Sequence, residues 1–486
     1  MDGKGKLHVM FFPFPGQGHL IPMSDMARAF SGRGVRATIV TSPLNVPTIR
    51  GTIGKGVESE IEILTVKFPC AEAGLPEGCE NTESIPSPDL ILTFFKAIRM
   101  LQAPLEELLL QHRPHCLIAS ALFPWASKLN INIPRLVFHG TGVFALCASE
   151  CIRLYQPHKN VSSDTDPFLI PHLPGDVQMT KMLLPDYIKT ETDGGTETDF
   201  KRALQEIKEA ELASYGVVLN SFYELEQVYA DYYEKQLLQG QGRRTWYIGP
   251  LSLCNVNDHK GKRGKQASVD EGDILKWLDS NKPNSVVYVC FGSIANFSES
   301  QLREIARGLE DSGQQFIWVV RRSEKDKGTW LPEGFERRTT TEGRGIIIWG
   351  WAPQVLILDH QAVGVFVTHC GWNSTLEAVS AGVPMVTWPV SAEQFYNEKF
   401  VTDLLQIGIP VGVQKWARIV GDDTITSNAL QKALHRVVLG EEAESMRNRA
   451  HELAQMARTA VQYNGSSSCH LTHLIQHLRS IACLQN

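Results

Sequence analysis

Apolar positions in this chain come in short runs, separated by stretches in which they recur at helical spacing. Leu7–Phe12 is a nearly continuous apolar run, as expected of a strand covered on both faces. Leu20, Met23, Met26, Ala27 and Phe30 follow at successive intervals of three, three, one and three, which gathers them on one face of a helix. Ala37–Thr41 is the next strand, and a helix near Leu90–Leu109 and strands at Cys116–Ala119 and Arg135–His139 continue the rhythm. A second series opens at Ser285–Phe291, whose strand runs into Gly292-Ser293. Ser298 with Gln301 three residues on predicts a capping box at the next helix. Gly364–Thr368 and Pro384–Val390 read as further buried strands. Strands alternating with amphipathic helices predict an α/β fold with parallel sheets. Between the two series, residues 241–269 collect Gly, Lys and Arg in GQGRRTW and NDHKGKRGKQAS. This stretch reads as the approach to, and the body of, an interdomain linker.

The densest chemistry lies in the 44 residues Trp351–Gln394. Trp351 follows Ile346, Ile347 and Ile348, so it falls at a strand end. There a flat indole can stack on a planar base, an interaction worth roughly 1–3 kcal/mol. Gly364–Thr368 runs into His369-Cys370-Gly371, and Asn373 and Ser374 read as the cap and first turn of a helix. A helix start offers backbone N–H groups and positive dipole to a diphosphate. Glu377, one turn on, can accept the two hydroxyls of a ribose. Glu393 and Gln394 follow the Pro384–Val390 strand at its carboxyl end, where doubly wound sheets bind ligands. An acid beside an amide there can accept from and donate to sugar hydroxyls. Taken singly, each of these residues is also an ordinary cap or core residue.

Over all 44 positions the segment resembles the signature box of plant family 1 UDP-sugar glycosyltransferases. The likeness covers nearly the whole chain and is closest to members acting on phenolics, terpenoids and steroids. It implies the GT-B fold, two doubly wound Rossmann-like domains facing a cleft. Residues 1–249 would bind the acceptor, 250–269 form a linker, 270–465 bind the UDP-sugar, and 466–486 form a helix crossing back to the first domain. It implies donor contacts from Ser293, Trp351, Ala352, Gln354, His369, Gly371, Trp372, Asn373, Ser374, Glu377, Glu393 and Gln394, with Thr141 near the sugar's 6-hydroxyl. His369 would meet the diphosphate as a hydrogen-bond donor or as imidazolium. In the family a glutamine at the position of Gln394 goes with glucose, so UDP-glucose is the expected co-substrate, ahead of UDP-galactose and UDP-xylose. No cofactor or metal is implied.

His19 follows the turn Phe14–Gly18 between the first strand and the first helix. By position alone it is either a general base or a helix-start histidine; the resemblance implies the base. Relatives orient this histidine with an aspartate at the end of the strand preceding a Phe-Pro-Trp-Ala sequence. Counting back from Phe123-Pro124-Trp125 puts Ser120 there, and Lys128 stands at a nearby position often acidic in relatives. A serine can hold one tautomer by a hydrogen bond, but it cannot stabilise a forming imidazolium as a carboxylate does. Three functions follow. One is an inverting glucosyltransferase using His19 on a fairly acidic hydroxyl, or on an aromatic carbon, of a flavonoid, phenol or triterpenoid. A second is a UDP-sugar-binding protein with weak or no turnover. The third is nucleotide-sugar epimerisation. Phe12, Phe14, Phe94, Phe95, Phe123 and Phe144 are candidates for an apolar acceptor pocket as well as for core.

Bulk properties narrow the setting. The 486 residues are enough for two domains, and a net charge of −6 with both signs interspersed gives no footprint for nucleic acid or an anionic membrane. Ten cysteines without CxxC or metal-ligand spacing read as reduced cytoplasmic thiols. MDGKGKLHVMFFPFPG is a first strand, not a signal peptide, and no apolar run is long enough to span a bilayer. Asn160 and Asn296 head glycosylation sequons, which carry meaning only on secretion. A cytoplasmic monomer is the expectation.

Overall fold

Apolar β-branched runs build two separate parallel sheets in the computed structural model. It describes residues 6–54, 60–189, 196–238, 244–254, 263–293, 295, 297–322, 324–417 and 425–485. The strands are β1 (His8–Phe12), β2 (Arg36–Thr41), β3 (Ile61–Thr65), β4 (Cys116–Ser120) and β5 (Arg135–His139). A small antiparallel pair follows, β6 (Pro167–Leu169) and β7 (Gln178–Thr180). The rest are β8 (Gly216–Leu219), β9 (Arg244–Tyr247), β10 (Val286–Cys290), β11 (Gln315–Val320), β12 (Gly345–Trp349), β13 (Val363–Thr368), β14 (Met385–Thr387) and β15 (Gly408–Pro410). Five helices matter for the site: α1 (Gln17–Ser31), α2 (Thr196–Leu212), α3 (Trp372–Ala381), α4 (Gln394–Lys399) and α5 (Ser466–Gln485).

The first sheet has the order β3-β2-β1-β4-β5-β8-β9 and the second β12-β11-β10-β13-β14-β15, the two Rossmann-like sheets of a GT-B protein. Each winds out one way from its first strand and then back the other way. The reversal falls between β1 and β4 in one sheet and between β10 and β13 in the other, and the loops leaving the carboxyl ends there are free to diverge around a ligand. Phe12 stands beside Ala119 across the first reversal, and Cys290 beside Thr368 across the second.

Residues 1–143, 191–265 and 459–486 form one compact unit, and residues 144–190 and 266–458 another. The first unit's core joins the apolar stripe of α1, where Leu20, Met23, Met26, Ala27 and Phe30 are fully buried, to Leu471, Leu474, Ile475 and Leu478 of α5. Of the expected linker 250–269, residues 255–262 lie outside the described residues, as does Asn296. Leu251 is buried in the first unit's core.

Three local expectations differ from the structure. The helix near Leu90–Leu109 is two helices, Ile91–Met100 and Gln102–His112. Pro104 has no N–H to give and its ring crowds the carbonyl four residues back, so the first helix stops at Met100. The strand expected over Pro384–Val390 pairs only at Met385–Thr387, since Pro389 cannot donate to a ladder. The capping box is half formed. Ser298 Oγ accepts the Gln301 N–H at 3.2 Å, while the Gln301 amide clasps the backbone of Ile425, donating at 2.9 Å and accepting at 2.7 Å.

Candidate functional site

In the first unit, the reversal between β1 and β4 brings His19 to Ser120. The turn after β1 closes with the His19 N–H on the Gly16 carbonyl, and α1 begins at Gln17, which places His19 in its first turn. Ser120 ends β4 and is fully buried. Its Oγ lies 3.2 Å from His19 Nδ1 and accepts the Leu122 N–H at 3.2 Å. The half-buried ring leans against Phe14 and Phe138, with centroids 5.7 and 6.0 Å away. Burial, and then the neighbouring His139, push the pKa of His19 down to about 3. The imidazole is therefore neutral across the physiological range. Gly140 makes the room, since a Cβ there would stand 2.9 Å from both Cε1 and Nε2 of the ring.

Apolar walls surround this imidazole. Phe12 stacks on Phe123 at 4.3 Å, and Phe14 meets Phe94, Phe95 and Phe123 at 6.0–6.2 Å. Phe144, expected with them, belongs to the second unit, where it stacks on Phe400 at 5.3 Å. Thr141 follows Gly140, and its buried hydroxyl has no hydrogen-bond partner among the described residues. The same holds for both polar atoms of the Gln17 side chain, which is 5% exposed. A buried polar group left unpaired costs about 1–3 kcal/mol, so these two side chains are unusual within the fold. Gln17 escaped the sequence reading because nothing in its type marks an amide without partners.

Behind His139 lies a buried ionic group that the sequence did not announce. His139 Nε2 is 2.5 Å from Glu211 of α2, and Lys208 is 2.6 Å from the other oxygen. Burial opposes the charge on Glu211, but the bonds from His139 and Lys208 outweigh it and hold the carboxyl down to about 2.

In the second unit, the reversal between β10 and β13 presents His369. β10 leaves through Gly292, at φ +70°, and then Ser293. Added Cβ atoms at Gly292 and Gly371 would each stand 2.5 Å from His369 Nε2, so two glycines clear the space this ring fills. Burial lowers its pKa to about 4. Without a ligand the ring is therefore neutral at physiological pH. The N-cap of α3 is Gly371, two residues ahead of the expected Asn373, because Cys370 takes φ +64° and turns the chain early. The N-cap glycine has no side chain with which to cap α3, and the Glu393 carboxylate accepts the Trp372 backbone N–H. The first turn of α3, Trp372, Asn373 and Ser374, is the positive end of the helix dipole. The Trp372 indole itself is 2% exposed and packs near Phe400.

Gln354 ties the next part together. Its Nε2 donates to Ser374 Oγ at 3.1 Å and to Glu377 Oε2 at 2.7 Å, and its Oε1 accepts from the Tyr288 hydroxyl at 3.4 Å. Trp351 is fixed by two bonds with Ser268: its N–H donates to the Ser268 hydroxyl at 2.9 Å, and its carbonyl accepts the Ser268 N–H at 2.8 Å. Its half-buried indole keeps a buried Nε1 without a partner among the described residues. Ala352, beside it, is buried. Gln394 Oε1 already accepts the N–H groups of Val390 and Ser391 at 2.8 and 2.9 Å. These two bonds engage its oxygen and not its amide nitrogen. Burial raises the pKa of Glu393. Asn397, which the sequence gave no cause to single out, bridges this acid to the Cys370 carbonyl, at 3.4 and 2.8 Å. Among the described residues no helix is long and apolar enough to cross a membrane, and no group of three or more His, Cys, Asp or Glu is placed to hold a metal.

Comparison with known proteins bears on this pair of sites. The family described as UDP-glucoronosyl and UDP-glucosyl transferase matches residues 243–461. A scopoletin glucosyltransferase of Nicotiana tabacum is 52% identical over 479 residues, spanning 98% of each chain. UDP-glucose flavonoid 3-O-glucosyltransferase 7 of Fragaria ananassa is 50% identical, spanning 98% of this chain and 97% of that one. The crystal structure of Glycyrrhiza uralensis UGT73P12 with glycyrrhetinic acid 3-O-monoglucuronide superposes with a TM-score of 0.90 at 38% identity, covering 99% of this chain and 97% of that one.

Proposed function

Because the chain belongs to the plant UDP-glycosyltransferases, we propose that the two reversal points divide the labour of one inverting transfer. The protein is a UDP-glucosyltransferase acting on small plant metabolites. In the second unit, Trp351 would stack on uracil and Glu377 would accept the ribose hydroxyls. His369, Ser293 and the first turn of α3 would take the diphosphate, and Glu393 with the Gln394 amide nitrogen would hold glucose. In the first unit, His19 would meet the acceptor's nucleophile, with Thr141 toward the sugar. The nucleophile attacks the anomeric carbon from the face opposite UDP. The C1–O bond to UDP breaks, and the acceptor's proton leaves to His19 or to solvent.

The observation that carries this reading is the imidazole of His369, set by Gly292 and Gly371 at the start of α3, whose N-cap is a glycine. A hydrogen-bond donor so placed is worth about 3–4 kcal/mol on developing charge. The wall of phenylalanines beside His19 suits a flat lipophilic acceptor such as a coumarin or flavonoid. A second reading, UDP-sugar binding with little turnover, draws on the uncharged Ser120 beside His19.

One experiment separates the two. The protein is incubated with UDP-glucose and a mixed panel of phenols, flavonoids and triterpenoids, and products are read by mass spectrometry, with acid hydrolysis to tell O- from C-glycosides. Glycoside formation is expected, with UDP binding by calorimetry at micromolar to millimolar levels. His19→Ala should cost about 10²–10⁴ in kcat with UDP affinity unchanged. Tight UDP binding with no product would establish the second reading. Absence of UDP binding at millimolar levels would remove both.

A further inference from the structure

The hydrogen bonds around Ser120 can be satisfied in only one direction. Ser120 is fully buried, and its Oγ has two partners, the Leu122 N–H at 3.2 Å and His19 Nδ1 at 3.2 Å. Leu122 can only donate. If Nδ1–H donated as well, the hydroxyl oxygen would accept twice and its own buried proton would have no acceptor. If the hydroxyl instead donates to Nδ1, every group in the chain Leu122 N–H, Ser120 O–H, His19 Nδ1 is paired. A carboxylate in that place would impose the reverse order, since it can only accept.

We infer that Ser120 holds resting His19 as the Nε2–H tautomer, presenting a proton donor to the acceptor and so favouring nucleophiles that arrive already ionised. The inference rests on the transferase reading and names the acceptor class for that site: acidic phenols, enols and carboxylic acids ahead of aliphatic alcohols. The anionic oxygen accepts a hydrogen bond from Nε2–H, attacks the anomeric carbon and displaces UDP; its proton has already gone to solvent. A neutral hydroxyl requires the other tautomer, reached only by stranding the Ser120 proton, and the energetic penalty lowers that population about tenfold to a hundredfold. Ser120 is in this sense a positioning residue, acting through the ring.

The ring itself gives the first test. In protein labelled with ¹⁵N-histidine, a long-range ¹H–¹⁵N correlation distinguishes the two neutral tautomers, and the His19 signals are those missing in His19→Ala. Wild type should show Nε2 protonated at pH 7.5; a ring protonated on Nδ1 overturns the inference. Ser120→Asp offers the ring acceptor atoms only. Folded, it should switch the ring to Nδ1–H; a ring still on Nε2–H in the folded variant overturns the assignment of the tautomer to residue 120. The second test is the dependence of kcat/KM on acceptor pKa, for phenols and alcohols at fixed pH. Wild type should fall steeply as acceptors become less acidic. Ser120→Asp should flatten that slope, gaining about tenfold on alcohols and least on acidic phenols. An equal effect on all acceptors overturns acceptor selection. Should no protein form glycoside with any acceptor, it is the transferase reading that fails, and the ring spectrum still decides the tautomer.

Discussion

A glycine is the residue on which each imidazole depends. Gly140 backs His19, and Gly292 backs His369; one methyl group at either would overlap the ring. At Gly292 two effects combine, because φ is +70° and an alanine there is also strained in the backbone, by about 1 kcal/mol. Gly292→Ala should therefore leave a folded protein with a displaced His369. UDP affinity measured by calorimetry should weaken about tenfold to a hundredfold, the loss of one good donor to the diphosphate. Unchanged affinity in a variant whose melting temperature has barely moved would mean that His369 does not meet the diphosphate. Neutrality matters here as much as position. A ring with a pKa near 4 is uncharged in the free protein at pH 6 to 8, so a step in UDP affinity across that range would show that the bound diphosphate protonates it.

Short elements after each strand carry the site, and α4 shows how they are held. It sits on β14 through Glu398, whose carboxylate accepts from the Thr387 hydroxyl at 2.7 Å. Burial raises the Glu398 pKa to about 7, against a smaller opposing effect of that hydrogen bond. The folded state thus keeps a proton that the unfolded chain has lost. Stability falls as pH rises from about 4.5 towards 7 and levels above it. Glu398→Gln keeps a hydrogen-bonding partner for Thr387 and removes the titration. Denaturant melts of the two proteins should differ by on the order of 3 kcal/mol more at pH 7.5 than at pH 4.5, with the variant favoured at the higher pH; a constant difference would show that Glu398 does not titrate in the fold. The strands at the two reversals, β1 and β4, β10 and β13, were legible from apolar runs, and with them the positions of His19, His369 and Ser293 at strand ends, whereas β3, β8, β9, β11 and β15 were not read. Local chemistry misled where a second local effect competed. Pro104 split a helix whose apolar spacing looked continuous, and the left-handed turn at Cys370 began α3 ahead of Asn373. Partners far along the chain were beyond reach. Gln301 finds Ile425 across 124 positions and Asn397 finds the Cys370 carbonyl across 27, and no spacing rule encodes either.

At the scale of the molecule, the chain builds two switch-point sheets, to which the proposed function gives different chemistry. Residues proposed to hold UDP-glucose all lie within 266–458 except Thr141, while His19 and Ser120 lie within 1–143. The final helix belongs with His19, since Leu471, Leu474, Ile475 and Leu478 of α5 complete the core under α1. This division has a measurable consequence. Leu474 is fully buried, so Leu474→Ala should cost about 2–5 kcal/mol, drawn from the first unit alone. Saturating UDP should add about 2.7 kcal/mol at a hundred times its Kd, and the gain should fall on the unit that binds it. Hydrogen exchange read by mass spectrometry resolves the two. Peptides from β1, α1 and β4 should lose protection in Leu474→Ala, and those from β10, β13 and α3 should gain it with UDP in wild type and variant alike. Calorimetry should return the same UDP affinity for both proteins. If Leu474→Ala instead weakens UDP binding by tenfold or more, the donor site draws on the first unit, and its assignment to residues 266–458 is wrong.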